Sequence, residues 1–276
     1  MTPQPQTLVI EAGRAERHYW ADLWRFRELF LLLTWRDILV RYKQTAMGIG
    51  WALIKPLVAA VVFTVVFGRL AGLSSDGVPY PLLVALGILP WQFFASGLSE
   101  ASNSMLGNAG MISKVYFPRV IIPASAVIVS LVDLLISGVF VAALMGWYGI
   151  APDWRLLTLP LFVLLAFAAA FGGGLWFAAL NVKYRDFRYL VPLLLQFGVY
   201  LSPVGFSSSI VPEAWRPLYA LNPMAGIIDG VRWAVLGGSV PLYWPGVLLA
   251  AAFTAALLVT GVGFFRRAEK NFADII

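Results

Sequence analysis

The sequence predicts an all-helical polytopic membrane protein. It has six transmembrane helices, an N-terminal cytoplasmic helix lying in the membrane interface, and short re-entrant helices ahead of the last span. Three observations predict this class. The 276 residues are 60% hydrophobic and only 12% charged, with mean hydropathy +0.81, whereas a soluble domain is near half apolar and a quarter charged. Several apolar runs reach the ~20 residues that a helix rising 1.5 Å per residue needs to cross a bilayer. Lysine and arginine are distributed unevenly over the segments joining those runs.

Residues 1–34 are read as a cytoplasmic tail and 35–276 as the transmembrane domain. The first twenty residues hold Pro3, Pro5, Glu11 and Glu16 with no apolar core, so a cleavable signal peptide is not expected. Over 19–35, Asp22, Arg25 and Glu28 recur at helical spacing, while Trp20, Leu23, Trp24 and Phe30 lie largely on another side. That pattern predicts an interfacial helix; Arg27 departs from it, and a long side chain can snorkel. The spans are expected at about 49–73, 80–107, 120–145, 156–180, 189–206 and 243–265, the fifth being short. A polar turn at 74–79 separates the first two. The segment 207–241 is Pro-broken, and its amphipathic stretch MAGIIDGVRWAVL is too short to cross, which predicts short helices dipping back into the outer leaflet, where other helices shield the backbone. An ordinary outer loop is the rival reading.

With the N-terminus inside, fifteen of the twenty Lys and Arg, from Arg14 and Arg17 to Lys270, fall on the inner side. Arg69, Arg155, Arg216 and Arg232 fall outside. This asymmetry puts both termini in the cytoplasm of a multi-pass inner-membrane protein, and it accounts for the net charge of +6 without a nucleic-acid partner.

Catalytic and metal chemistry find no footing. Cysteine is absent, His18 is the single histidine, and no cluster of ligands converges on a metal. GNAGMISK, from Gly107, lacks the spacing of a phosphate loop and follows a span rather than a strand. Transport would therefore draw its energy from a partner or an ion gradient. Three ionisable residues lie inside apolar runs. Lys55 and Glu100 fall at matching depths, roughly 10 Å from the inner boundary, and are expected to form a structural ion pair because helices joined by a short loop are usually neighbours. Asp133, deeper by about another 10 Å, is left without a partner.

WRDILVRYKQTAMGIGWALIKPL (35–57) resembles the segment entering the first span of ABC-2-type polysaccharide export permeases, the membrane subunits of O-antigen, capsule and teichoic acid exporters. The resemblance continues through SKVYFPRVIIP (113–123), LNVKYRDFRYLVP (180–192) and PEAWRPLYALNPMAGIIDGVRWAVLG (212–237), covering nearly the whole chain in order. Lys55 departs from the pattern, where relatives more often carry an uncharged residue. The resemblance implies a homodimer joined to two copies of a separate ATPase, which holds the ATP and Mg, and a lipid-linked polysaccharide as cargo; this chain would carry no cofactor. It implies an ATPase-coupling loop bearing Asn108, Lys114, Tyr116, Phe117 and Arg119, with a second contact at Tyr184 and Arg185. Topology signalling is the rival reading for those cations.

Arg36, Arg41 and Lys43 are placed at an entrance for the lipid diphosphate, since arginine grips phosphate oxygens bidentately; attraction to anionic lipid is the bland alternative. Trp51, Trp91, Phe93, Phe94, Phe197 and Tyr200 are candidates for a glycan path, against simple packing or lipid contact. Gly172, Gly173 and Gly174 point to close helix packing rather than a hinge. An ion-coupled transporter and a membrane-embedded glycosyltransferase are the competing functions. The first lacks a carboxylate relay, and the second lacks a loop long enough for a catalytic domain.

Overall fold

The computed structural model describes residues 19–43, 48–184, 186–270 and 272; Arg14, Arg17, His18 and Arg185 lie outside them. Among the described residues all regular structure is helical. The expected interfacial helix is divided at Phe26 into α1 (Tyr19–Arg25) and α2 (Arg27–Lys43). Leu33 is buried, and Tyr19, Leu23, Phe26 and Phe30 pack on the same cluster, against Val120, Ile121 and Phe265. Trp20, Trp24 and Trp35 remain exposed, as amphipathic aromatic rings do at a membrane surface. α2 runs past the expected 34/35 boundary and packs along α6.

Among the described residues, five helices are long and apolar enough to cross a membrane. α3 (Gly50–Phe63) continues as a π-helical stretch to Leu70. α4 (Tyr80–Gly107) has the expected bounds and is the most buried, and it is followed by the single turn α5 (Ala109–Ile112). α6 (Ile121–Tyr148) comes next, and a 3₁₀ turn (Trp154–Thr158) leads into α7 (Leu159–Lys183). α11 (Trp244–Glu269) is the last.

The expected fifth span, 189–206, is cut short. α8 covers Phe187–Leu201, 15 residues, so about 22 Å against a hydrocarbon core of about 30 Å. The cause lies in its sequel. Pro203 opposes continuation, and the carbonyls of Val204, Gly205 and Phe206 are taken by side chains instead of by a helix. Arg232 donates to Val204 (3.3 Å) and Phe206 (3.0 Å), and the Tyr80 hydroxyl donates to Gly205 (2.6 Å). A count of six spans is therefore not carried by helix length.

The segment before the last span is not an ordinary loop. After the turn α9 (Arg216–Tyr219), α10 (Pro223–Val235) is capped by Asn222, whose side chain accepts from Met224 N–H at 3.0 Å. α10 is largely buried against α4, α7 and α11. Gly226 lets it reach α11, where an added Cβ would come within 2.8 Å of Ala250 and the Gly246 carbonyl. Arg232, counted above among outer-facing bases, is 1% exposed. Besides the two carbonyls of the 204–206 stretch it donates to Leu83 O at 3.2 and 3.1 Å, and Asp229 lies 3.8 Å away. A guanidinium buried this way needs such partners.

α4 sits between α6 and α7, and α7 packs on α11 with backbones in contact. A Cβ on Gly172 would fall 2.8 Å from Leu258 Cα, and one on Gly261 2.5 Å from Gly172 O. Gly173 and Gly174 meet Leu98 and Ala101 of α4 in the same manner. The glycine run thus serves close packing, as expected. Tyr19, Arg119 and Glu269 meet at one end of the bundle. Asp76, Ser207 and Ser209 meet at the other.

Candidate functional site: a charged cleft and an exposed loop

The described residues carry two features with functional chemistry. One is a cleft of about 570 Å³ between the end of α2 and helices α3, α4 and α6, its lining including Arg41, Trp51, Lys55, Gln92, Ser96 and Asp133. Arg41 stands two residues before the end of α2, and α2 packs along α6, so its guanidinium reaches Asp133 at 3.0 Å. Glu100 of α4 lies 3.9 Å from the same group, and Ser96 accepts from it at 3.3 Å. The Tyr42 hydroxyl donates to Asp133. Burial, followed by this carboxylate, pushes the Tyr42 phenol well above its ordinary pKa, which keeps it a donor. Ser130 donates to Ser96 (3.1 Å) and Ser137 donates to Ala52 O (2.7 Å).

Two expectations are corrected by this arrangement. Lys55 and Glu100 do not form an ion pair: Glu100 faces Arg41, and among the described residues no carboxylate is within ion-pair distance of Lys55. Matching depth on neighbouring helices was insufficient, because Arg41 entering from α2 competes for the same acid. Asp133 has partners after all, in Arg41 and Tyr42. Arg41, expected at an entrance for the lipid diphosphate, is paired with Asp133. Arg36 is exposed and bound to Asp37 (2.7 Å) and to the Asn108 side chain (3.1 Å), and Lys43 is exposed at the end of α2.

The aromatic candidates separate. Trp51, Trp91 and Phe93 line the cleft, and Phe94 packs on Trp91 with ring centroids 5.6 Å apart. Phe197 and Tyr200 lie on the exposed face of α8 and do not line it. Trp91 is nearly buried because Gly198 of α8 lies against its ring, where a Cβ would come within 2.6 Å.

The second feature is the 108–119 loop between α4 and α6. Ser113, Lys114, Val115 and Tyr116 are exposed, whereas Phe117 is 3% exposed. Phe117 and Tyr116 were expected to act alike on a partner. Phe117 instead points inward, into the cluster holding Met105, Ile122 and Val182. Asn108 is fixed by Arg36 and by its own bond to Ser104 O at 2.9 Å. Arg119 donates its backbone N–H to the Glu269 carboxylate at 2.7 Å and its guanidinium to the Glu269 carbonyl. Tyr184 is exposed beyond the end of α7; Arg185 lies outside the described residues.

The family profile described as ABC-2 type transporter matches residues 28–236, most of the chain and both features. The chain belongs to the ABC-2 type transporter family. The chain is 28% identical over 250 residues to the O-antigen export system permease protein RfbA of Klebsiella pneumoniae, covering 90% of this chain and 95% of that protein. It is 26% identical over 258 residues to RfbA of Myxococcus xanthus (92% and 98% covered), and 23% identical over 242 residues to the polysialic acid transport protein KpsM of Escherichia coli (85% and 91%). In this ABC-2 transporter, sequence reading missed three fastenings: Arg41 to Asp133, Arg232 to the 204–206 carbonyls, and Arg119 to Glu269. Asp133 and Arg232 each carried a signal, as charges set among apolar residues. Glu269 carried none, because a carboxylate among bases after a span reads as solvated.

Proposed function

We propose that this chain is the membrane subunit of an exporter that moves a lipid-linked polysaccharide of O-antigen type across the inner membrane, both termini cytoplasmic. It works as a pair of copies with two copies of a separate ATPase, which holds the ATP and Mg. The membership in the ABC-2 family and the export activities for which the relatives are named, at 23–28% identity over most of their length, support the reading. The single structural observation that carries it is the cleft, where charged and hydroxyl groups lie beside exposed indole between helices long and apolar enough to cross a membrane. Intramembrane charge held in such a cavity marks a path for polar cargo. With Arg41 balanced by Asp133, Lys55 is the cation left to meet an anionic headgroup there, with Lys43 outside. Trp51 offers a ring face to a sugar. Tyr116, Lys114 and Val115 form the ATPase contact, with Tyr184 beside them; exposed aromatic anchors suit such an interface.

An ion-coupled pump is disfavoured, because Asp133 is tied to a guanidinium and a phenol within the protein. The test is co-purification with a candidate ATPase subunit from the same organism, then measurement of hydrolysis with and without lipid-linked glycan. Stimulated hydrolysis, together with loss of surface polysaccharide when the chain is deleted, is expected. Unchanged surface polysaccharide in the deletion would overturn the reading.

A further inference from the structure

At the end of the bundle where the described termini meet, Glu269 closes α11 and touches two other elements. Its carboxylate accepts the Arg119 N–H (2.7 Å) directly ahead of α6, and the Tyr19 hydroxyl (3.3 Å) at the start of α1. Its own carbonyl accepts the Arg119 guanidinium. The exchange is reciprocal. The carboxylate takes the backbone N–H of Arg119, two residues ahead of α6, and a cation sits where the C-terminus of α11 leaves carbonyls unpaired. Apolar and cationic contacts close around the joint. Arg266 lies over the Tyr19 ring at 4.4 Å, Arg119 over Phe272 at 5.9 Å, and Phe272 packs edge-on against buried Phe265 at 5.4 Å.

The exposed residues 113–116 are thus only a few residues from a fixed point on the last helix. We infer that Glu269 is a positioning residue: it fastens the 108–119 loop and α1 to α11, so that displacement of the loop is delivered to the last helix instead of being absorbed by bending at Arg119. The inference rests on the reading that this loop meets the ATPase only for what pushes the loop. The fastening itself is independent of that reading.

The test has two arms. In the first, nitroxide labels go on cysteines introduced at Ser113 and Gly263 of the purified full chain. The sequence has no cysteine, and Gly263 has open space for a side chain. The distance distribution is expected to be narrow, to broaden in Glu269→Ala, and to stay narrow in Glu269→Gln, whose amide oxygen still accepts from Arg119. In the second arm, polysaccharide exported per ATP hydrolysed by the complex falls about tenfold in Glu269→Ala, the size of one lost hydrogen bond to a charged group, and is restored by Glu269→Gln. A narrow distribution in Glu269→Ala overturns the inference, as does unchanged export per ATP while Tyr116→Ala abolishes ATPase association. If Glu269→Ala is not recovered from membranes, Tyr19→Phe decides: with labels at Ala21 and Gly263, broadening supports the fastening and an unchanged distribution overturns it. Should Tyr116→Ala leave the ATPase bound, the docking reading fails while the distance arm still judges Glu269.

Discussion

Arg41 and Asp133, ninety-two positions apart in the chain, stand 3.0 Å from one another and tie the end of α2 to the middle of α6. Both side chains retain about a quarter of their exposure, 29% and 26%, so the pair is neither a surface ornament nor a fully desolvated lock. Removing one partner of a fully buried pair costs ~3–5 kcal/mol and an exposed one ~0–1. We expect Arg41→Gln or Asp133→Asn to cost about 1–3 kcal/mol, between those limits. The exchange Arg41→Asp with Asp133→Arg should recover part of the loss. Thermal unfolding in detergent measures it, and full stability in Arg41→Gln would mean that the pair contributes nothing.

Lys55 should behave differently. Having no carboxylate within ion-pair distance among the described residues, Lys55→Gln is expected to leave the unfolding temperature within a degree or two, since exposed substitutions usually change stability by less than about 0.5 kcal/mol. Export should fall and be kept by Lys55→Arg. Exchanging Lys55 and Glu100 should rescue nothing, and recovery of export in that double variant would reinstate a pair between them.

Tyr116 and Phe117 are adjacent yet belong to different experiments. Tyr116→Ala should leave the protein folded and weaken its association with the ATPase, read by co-purification. Phe117→Ala removes a buried ring and should cost about 3–5 kcal/mol of stability, lowering the amount of protein in the membrane. Equal loss of protein in both variants would contradict the burial difference.

Gly87 of α4 faces Arg232 so closely that an added Cβ would lie 2.5 Å from Val204 O and 2.8 Å from the guanidinium. Gly87→Ala should therefore displace backbone that Arg232 holds, and cost at least about 1–3 kcal/mol as overpacking does. Arg232→Ala should cost more, because three carbonyls lose their donor. A Gly87→Ala protein as stable as the parent would show the 202–206 segment to be loosely held.

Much of the fold was legible because hydrophobic length is a one-dimensional property. α4 fell where 80–107 was expected, and α11 began within one residue of its expected start. The fifth span was overextended because its apolar run gave no sign that the Val204 and Phe206 carbonyls would be claimed from α10, 28 and 26 residues further on. The site was less legible for the same reason. That Arg41 rather than Lys55 meets Glu100 depends on how α2 leans on α6, which no local pattern encodes. The opposed fates of Tyr116 and Phe117 follow from one turn of irregular backbone, where helical periodicity has no say.

The glycine contact between α7 and α11 limits how the last helix can respond to a push. With Gly172 and Gly261 bringing main chain against main chain, neither helix can slide along the other without lifting a carbonyl over a Cα. The two therefore tilt as one stiff strut. A load applied at the Arg119 end would be carried along this strut to Gly226 and α10, about 34 Å away by the helical rise between Phe265 and Gly246 plus one turn. The far mouth of the protein would then feel the stroke as a rotation of α10, not as a shortening of any helix.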